Sequence, residues 1–376
     1  MRRLIFLPAI LGLSACMEPQ IAPDLPKLDI SNLNVEVIAD GLDHPWSVAA
    51  DGGGRYYVTE RGGKLFQITK NSRTEITGLP GDIYVEGQAG LFDVVLPSDF
   101  VRSDKIYLTY AYGTADSNGT ALISAKLNGS TLKDTKTLFR ASPPKNTNSH
   151  FGARLAILPD QSLILTTGEG FKYREAAQNL KSHLGKTVRL LPDGGTPSDN
   201  PKLGGKPQIY SYGHRNVQGL AYDAQTGSLW SHEHGARGGD ELNNIIAGEN
   251  YGWPIATQGT DYNGAKITPH KTYPGMKDGV HIWTPSIAPS GLAIYRGDMF
   301  PEWNGDALVG GLVSQDLRVV DLENGKSAGE MIILSNTEGG IHNGRIRDVR
   351  VERDGAILVL IDAAKTGKLL RITPKE

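Results

Sequence analysis

Along this chain apolar positions alternate with polar ones over short stretches rich in β-branched and aromatic residues, bounded by Gly, Asp and Pro, which is the signature of strands joined by tight turns. One compound pattern returns: a small or polar residue, an apolar pair, a turn carrying Asp or Gly, then an alternating run. It appears as PWSVAADGGGRYYVTE from Pro45, AGLFDVVLPSDFVRSDKIYLTYA from Ala89 and GARLAILPDQSLILTTGE from Gly152. It returns as QGLAYDAQTGSLWSHEHG from Gln218, SGLAIYRGDMFPEWNGDALVGGL from Ser290 and IRDVRVERDGAILVLID from Ile346. Copies spaced by about 45 to 70 residues fit four-stranded propeller blades with loops of variable length. Asp51-Gly52, Pro159-Asp160 and Asp354-Gly355 sit where the hairpins reverse. The pattern predicts an all-β fold, a single six-bladed β-propeller over residues 33–376. A large sandwich or a pair of barrels would not need six spaced copies of one hairpin. The segment VEVIAD near Val35 and KLLRITPK near Lys368 are expected to complete one blade jointly and close the ring.

The amino terminus reads differently. In MRRLIFLPAILGLSAC, Arg2 and Arg3 precede an apolar core from Leu4 to Leu13, too short to span a bilayer and matched to an export signal over residues 1–15. Leu13-Ser14-Ala15-Cys16 resembles a lipobox, which would make Cys16 the lipidated first residue of the mature protein; the alternative is a simple signal peptide. Cys16 is the chain's one cysteine, so no internal disulfide forms and the thiol has another use. Residues 16–32, polar and proline-containing, suit a tether. The expectation is an exported, periplasmic protein that meets the membrane only through its lipid. Met17, in place of the Asp associated with inner-membrane retention, favours the outer membrane.

Composition narrows the partners only slightly. With 39% hydrophobic residues and a formal net charge of −2 there is no basic field for nucleic acid. The 46 glycines and 21 prolines agree with many turns. Residues just before or at the start of the repeated inner strand form an unusual set for loops that only turn: Gln88, His150, His214, Arg215, Asn216, Ser286, Ser290, Arg345 and Arg347. If the blades are equivalent these converge on one end of the central channel, where propellers bind ligands. Arginines and an amide there suit a ligand with several carboxylates or carbonyls, a carboxylate-bearing cofactor better than a neutral sugar alone. Singly, each has a plainer reading: a solvated loop arginine, a local Arg347–Asp348 pair, a histidine bound to a carbonyl.

Taken together, SHFGARL, YGHRNVQGLA, EHGARGGDELN, NYGWP, APSGLAIY and GRIRDVR resemble the soluble aldose sugar dehydrogenases that use pyrroloquinoline quinone, within the glucose/sorbosone dehydrogenase family. The likeness runs from about Val35 to Ile372. It implies that His150 is the general base for the anomeric hydroxyl of an aldose, that Glu169 orients it where many members carry Asp, and that Arg215 and Asn216 contact the quinone. It also implies further cofactor contacts from Gln88, Arg345 and Arg347, with a looser match at Arg318. His214 is then a supporting group rather than the base. The backbone carbonyls of Gly235 and Ala236 would hold a Ca²⁺ beside the quinone, with Ala236 where other members have Pro; Glu241 and the Tyr251 carbonyl match a second Ca²⁺.

His232 and His234, on one face of a strand, raise a transition-metal alternative. Two other functions compete: a calcium-dependent lactonase, which would need acidic ligands on the channel, and a non-catalytic carbohydrate-binding propeller. The expected partners are an aldose and an electron acceptor, on a monomer.

Overall fold

The computed structural model describes residues 25–28, 30–335, 340 and 344–375. The export signal, Cys16 and residues 16–24 of the tether lie outside them. Six antiparallel four-stranded sheets make up the fold. Their innermost strands are Pro45–Ala50, Leu91–Val95, Gly152–Ile157, Val217–Asp223, Pro289–Ile294 and Arg345–Val351. Each packs against the next and the last against the first, so the blades form the predicted six-bladed ring. Each repeated copy is the inner strand and second strand of one blade, as for Gly152–Ile157 with Leu163–Thr167.

Closure follows the expected route. Leu33–Leu42 pairs antiparallel with Gly367–Pro374, placing Val35 opposite Ile372, so the first strand becomes the outer strand of a blade otherwise built from the carboxyl terminus. This arrangement ties both ends of the propeller into one sheet.

Both faces of a blade are covered by neighbours, so inner and second strands are buried along their length, as in Leu163–Thr167 and Ile357–Asp362. One inter-blade layer sets Leu308, Leu317 and Ile333 against Ile346, Val359 and Leu370. Along the channel axis the packing is instead ionic. Arg154, 1% exposed, places Nη1 2.9 Å from Asp348 Oδ1 and 3.6 Å from Asp93 Oδ1. Arg350 donates from Nη2 to Asp93 (2.8 Å) and from Nε to Asp348 (3.1 Å). Ser47 Oγ and the Leu155 N–H also donate to Asp93. Four inner strands are thereby fastened at the axis. The local Arg347–Asp348 pair offered by the sequence is not formed: Asp348 serves Arg154 and Arg350, while Arg347 turns to Asp362.

Candidate active site

At the end of the channel where the inner strands begin lies a cleft of about 150 Å³. Gln88, Asn216, Arg345 and Arg347 line it, four of the residues picked from the loops. Arg347 is buried and donates from Nη2 to Asp362 (3.1 Å), while Nε of the more exposed Arg345 lies 3.8 Å from the same carboxylate. Burial pulls the Arg347 guanidinium down to about 10, which leaves it charged at neutral pH. Arg61 adds a third guanidinium, and Trp46, Phe92 and Phe151 supply aromatic surface. Sequence reasoning missed Arg61 and Trp46. Arg61 directly follows the second strand of its blade, Tyr56–Glu60, and Trp46 lies within an inner strand, whereas only residues at or before inner-strand starts were compared.

His150 and Glu169 sit beside this cleft rather than among its lining residues. His150 Nδ1 lies 3.1 Å from Glu169 Oε1, without the alignment of a straight hydrogen bond, and both side chains are at most 5% exposed. The His150 main-chain N–H donates to Gln88 Oε1 (2.8 Å), and Asn216 Oδ1 accepts from the Gly152 N–H (3.2 Å). Cleft-lining amides thus fix the loop that carries the imidazole. That loop bends sharply, with φ of +52° at His150, and its carbonyl presses on Gly168, where any Cβ would collide with it. Glu169 donates its N–H to the Arg215 carbonyl (2.9 Å) and accepts from the Phe171 N–H at Oε2. Burial lowers the His150 pKa; Glu169 opposes this, and the nearby positive charges of Arg215 and Lys145 add to it. The ring is therefore held neutral at pH 7, the form in which it can accept a proton.

Arg215 is anchored by its N–H on Glu233 Oε2 (2.5 Å), by Nη1 on the His234 carbonyl (3.2 Å) and by Nη2 on the Tyr262 hydroxyl (3.2 Å). Its buried Nε has no partner and remains a donor in reserve. Phe171, 38% exposed, stands edge-on to His150 at 5.3 Å, with Tyr262 6.2 Å beyond it. This aromatic wall carried no sequence signal, because both residues come from loops without repeat partners.

Other candidates fall elsewhere. His214 is fully buried, bonded to Glu233 Oε1 through Nδ1 (2.9 Å) and to Ser211 through Nε2 (2.8 Å), and stacks on Tyr251. Ser286 Oγ donates to Asp240 (2.6 Å) and Ser290 Oγ to the Arg347 carbonyl (2.7 Å), so neither lines the cleft. Arg318 is committed to Asp316 and Glu330 and is likewise absent from the cleft wall. The two histidines read as possible metal ligands instead bond neighbouring carbonyls, His232 to Gly291 and His234 to Pro289, both at 3.0 Å.

Around Glu241, one of the two residues matched to the second Ca²⁺, the donor set fits a hard cation. Glu241 stands in register opposite Glu233. Burial, then the Glu233 carboxylate, push Glu241 up to about 8. On the same strands Ser231 and Asn243 are also paired, and the Ser231 hydroxyl and both ends of the Asn243 amide are buried without partners. Glu233 is already engaged by His214 and the Arg215 N–H, so the oxygens left to a cation are those of Glu241, Ser231 and Asn243, the hard donors that Ca²⁺ prefers. The group contains no cluster of three His, Cys, Asp or Glu among the described residues, so amide or backbone oxygens would have to complete it. At the first position, Gly235 donates its N–H to Asp240 (2.8 Å) and is crowded so closely by the Gly238 and Gly239 backbone that a Cβ would not fit. This tight turn directly follows the cleft-lining His234, a position compatible with backbone ligation next to a bound cofactor.

Comparison with known proteins agrees with this geometry. The family model for glucose/sorbosone dehydrogenase matches residues 42–371. The aldose sugar dehydrogenase YliI of Escherichia coli K12 is 40% identical over 357 residues, which cover 92% of this chain and 94% of that protein. The crystal structure of the soluble aldose sugar dehydrogenase from Escherichia coli in its apo-form superposes with a TM-score of 0.84 at 39% identity, covering 91% of this chain and all of that one. The PQQ-bound form of aldose sugar dehydrogenase from Streptomyces coelicolor superposes at 0.72 and 28% identity, covering 90% and 98%. With its fold, its repeats and nearly its whole propeller accounted for, the chain belongs to the glucose/sorbosone dehydrogenase family.

Proposed function

We propose that this protein oxidises aldose sugars at the anomeric carbon to lactones, using pyrroloquinoline quinone held with Ca²⁺ in the arginine-walled cleft. The observation that carries this reading is the buried His150–Glu169 pair fastened by Gln88 to that wall. When bound, the quinone accepts the hydride lost from the sugar. Arg345 and Arg347, with Arg61, would hold its carboxylates; Asn216 in the wall, and the free Nε of Arg215, which stands behind the lining residues rather than among them, would serve its carbonyl oxygens, where a cation stabilises developing negative charge. His150, with Nδ1 turned to Glu169, takes the hydroxyl proton at Nε2, and Glu169 stabilises the imidazolium that results. Phe171 and Tyr262 shelter one side of the base from water.

The arginine and amide lining argues against a lactonase, and a purely binding propeller would have no use for a base held neutral beside a carboxylate. The amino-terminal sequence supports export to the periplasm, a lipid on Cys16 and an outer-membrane location; we take the protein as a monomer that passes electrons to a separate acceptor. Purified apoprotein loaded with quinone and Ca²⁺ should reduce an artificial acceptor on addition of aldoses. Turnover without quinone, or hydrolysis of a lactone in its place, would contradict the proposal.

A further inference from the structure

Lys145 is 2% exposed and lies five residues before His150 on the loop that carries the base. Its Nζ donates to the Thr147 carbonyl (2.6 Å), to Asn118 Oδ1 (3.1 Å) and to Thr147 Oγ1 (3.3 Å), so no carboxylate is among its hydrogen-bond partners. The Asn118 amide nitrogen is occupied by the Thr114 carbonyl, which points its oxygen at the lysine. Thr147 Oγ1 passes the connection on by donating to the Gly170 carbonyl (2.8 Å), between Glu169 and Phe171. Gly170 leaves room for the lysine stem, since a Cβ there would come within 2.5 Å of Lys145 Cδ. The ammonium also rests 3.4 Å from the centroid of Phe151, which lines the cleft beside His150. A buried ammonium with only neutral acceptors and a ring face is expensive to keep. Burial draws it down to about 7, with Glu169 acting the other way.

We infer that Lys145 is a positioning residue for His150: through Thr147 its buried side chain ties the loop bearing the base to the loop bearing Glu169, and in its ammonium form it presents a positive charge to both. The inference rests on the function proposed above. The charged and titratable groups facing this arrangement are His150 on the lysine's own loop, Glu169 on the adjoining loop, and Arg215 beyond them; Tyr173 also approaches, its hydroxyl donating to Asn146 Oδ1 (2.6 Å). A positive charge beside an imidazole disfavours its protonation, so Lys145 helps keep His150 in the proton-accepting form.

The test compares Lys145→Met with Asn118→Asp, which keeps the lysine and nearly the same shape but supplies a counter-charge. Two readouts are taken: the pH dependence of kcat/KM in the quinone-loaded protein, and the NMR titration of the His150 ring protons in the quinone-free protein, which needs no turnover. Both variants should move the acid limb and the ring titration to higher pH, and Lys145→Met should lower kcat by about tenfold while quinone affinity, read by fluorescence titration, stays that of the wild type. If Lys145→Met does not fold, Asn118→Asp decides. An unmoved ring titration in folded Asn118→Asp, or a variant that lowers only the melting temperature, overturns the inference. Absence of turnover in the wild type, with the ring titration shifted as expected, would count instead against the parent reading.

Discussion

His150 Nδ1 stands 3.1 Å from Glu169 Oε1, an imidazole and a carboxylate almost wholly buried at the edge of a cleft whose other charged walls are arginines. The contact sets up opposed influences on one ring. Burial, Arg215 and Lys145 favour the neutral imidazole, and Glu169 favours the imidazolium. The balance lies below the ordinary value of about 6.5. Activity should therefore persist below that pH and fall only as the ring finally protonates. In Glu169→Gln the carboxylate's support for the imidazolium is gone, so the acid limb of kcat/KM should move further down. A limb that moved up would show that Glu169 does not act on the base through its charge.

Phe171 meets His150 edge-on and is exposed, so it is placed to contact the sugar without holding the proton. Phe171→Ala should raise KM for aldoses by about tenfold, equivalent to ~1.4 kcal/mol, with kcat changed much less. Steady-state kinetics on one good substrate decide this; an effect confined to kcat would mean that the ring serves the base alone.

Glu241 and Glu233 face each other with unpartnered Ser231 and Asn243 beside them. Saturating Ca²⁺ should raise the melting temperature of the wild type, since a ligand that binds only the folded state stabilises it by mass action. Glu241→Gln should lose that Ca²⁺-dependent rise while keeping, without Ca²⁺, a melting temperature no lower than the wild type, because one of two facing acids is gone. A rise that survives the substitution would remove Glu241 from the ligands.

Arg154 joins Asp93 and Asp348 at the channel axis, where no solvent can replace it. Arg154→Met should destabilise the fold by about 3–5 kcal/mol, because it leaves two buried carboxylates to share Arg350. Urea unfolding measures this directly, and a loss near zero would mean that the axial network contributes little.

Much of this architecture was legible before any coordinates, because the blade is a repeat and repetition survives sequence divergence. Six copies of one hairpin located the inner and second strands, and two unassigned segments at the ends were expected to share a blade, which the structure closes with Val35 opposite Ile372. Residues fixed by position in the repeat, such as Gln88, Asn216 and Arg347, were found by comparing equivalent loops. What resisted reading depends on contacts between blades. Asp348 looked like the partner of its neighbour Arg347, yet its contacts are with Arg154, far away in sequence, and with Arg350. Phe171 and Tyr262 come together across 91 positions of chain from unrelated loops. Ser286 and Ser290 occupy cleft-facing repeat positions but are drawn into the scaffold by Asp240 and the Arg347 carbonyl, a choice between hydrogen-bond partners that spacing does not reveal.

The central claim is that His150 is the base of a quinone-dependent sugar oxidation. Wild type and His150→Ala, each loaded with pyrroloquinoline quinone and Ca²⁺ and shown to bind the same amount of cofactor, should be mixed anaerobically with an aldose while the absorbance of the bound cofactor is followed. The account predicts prompt reduction in the wild type and reduction slower by roughly 10²–10⁴-fold in His150→Ala. Equal rates in the two proteins would contradict it.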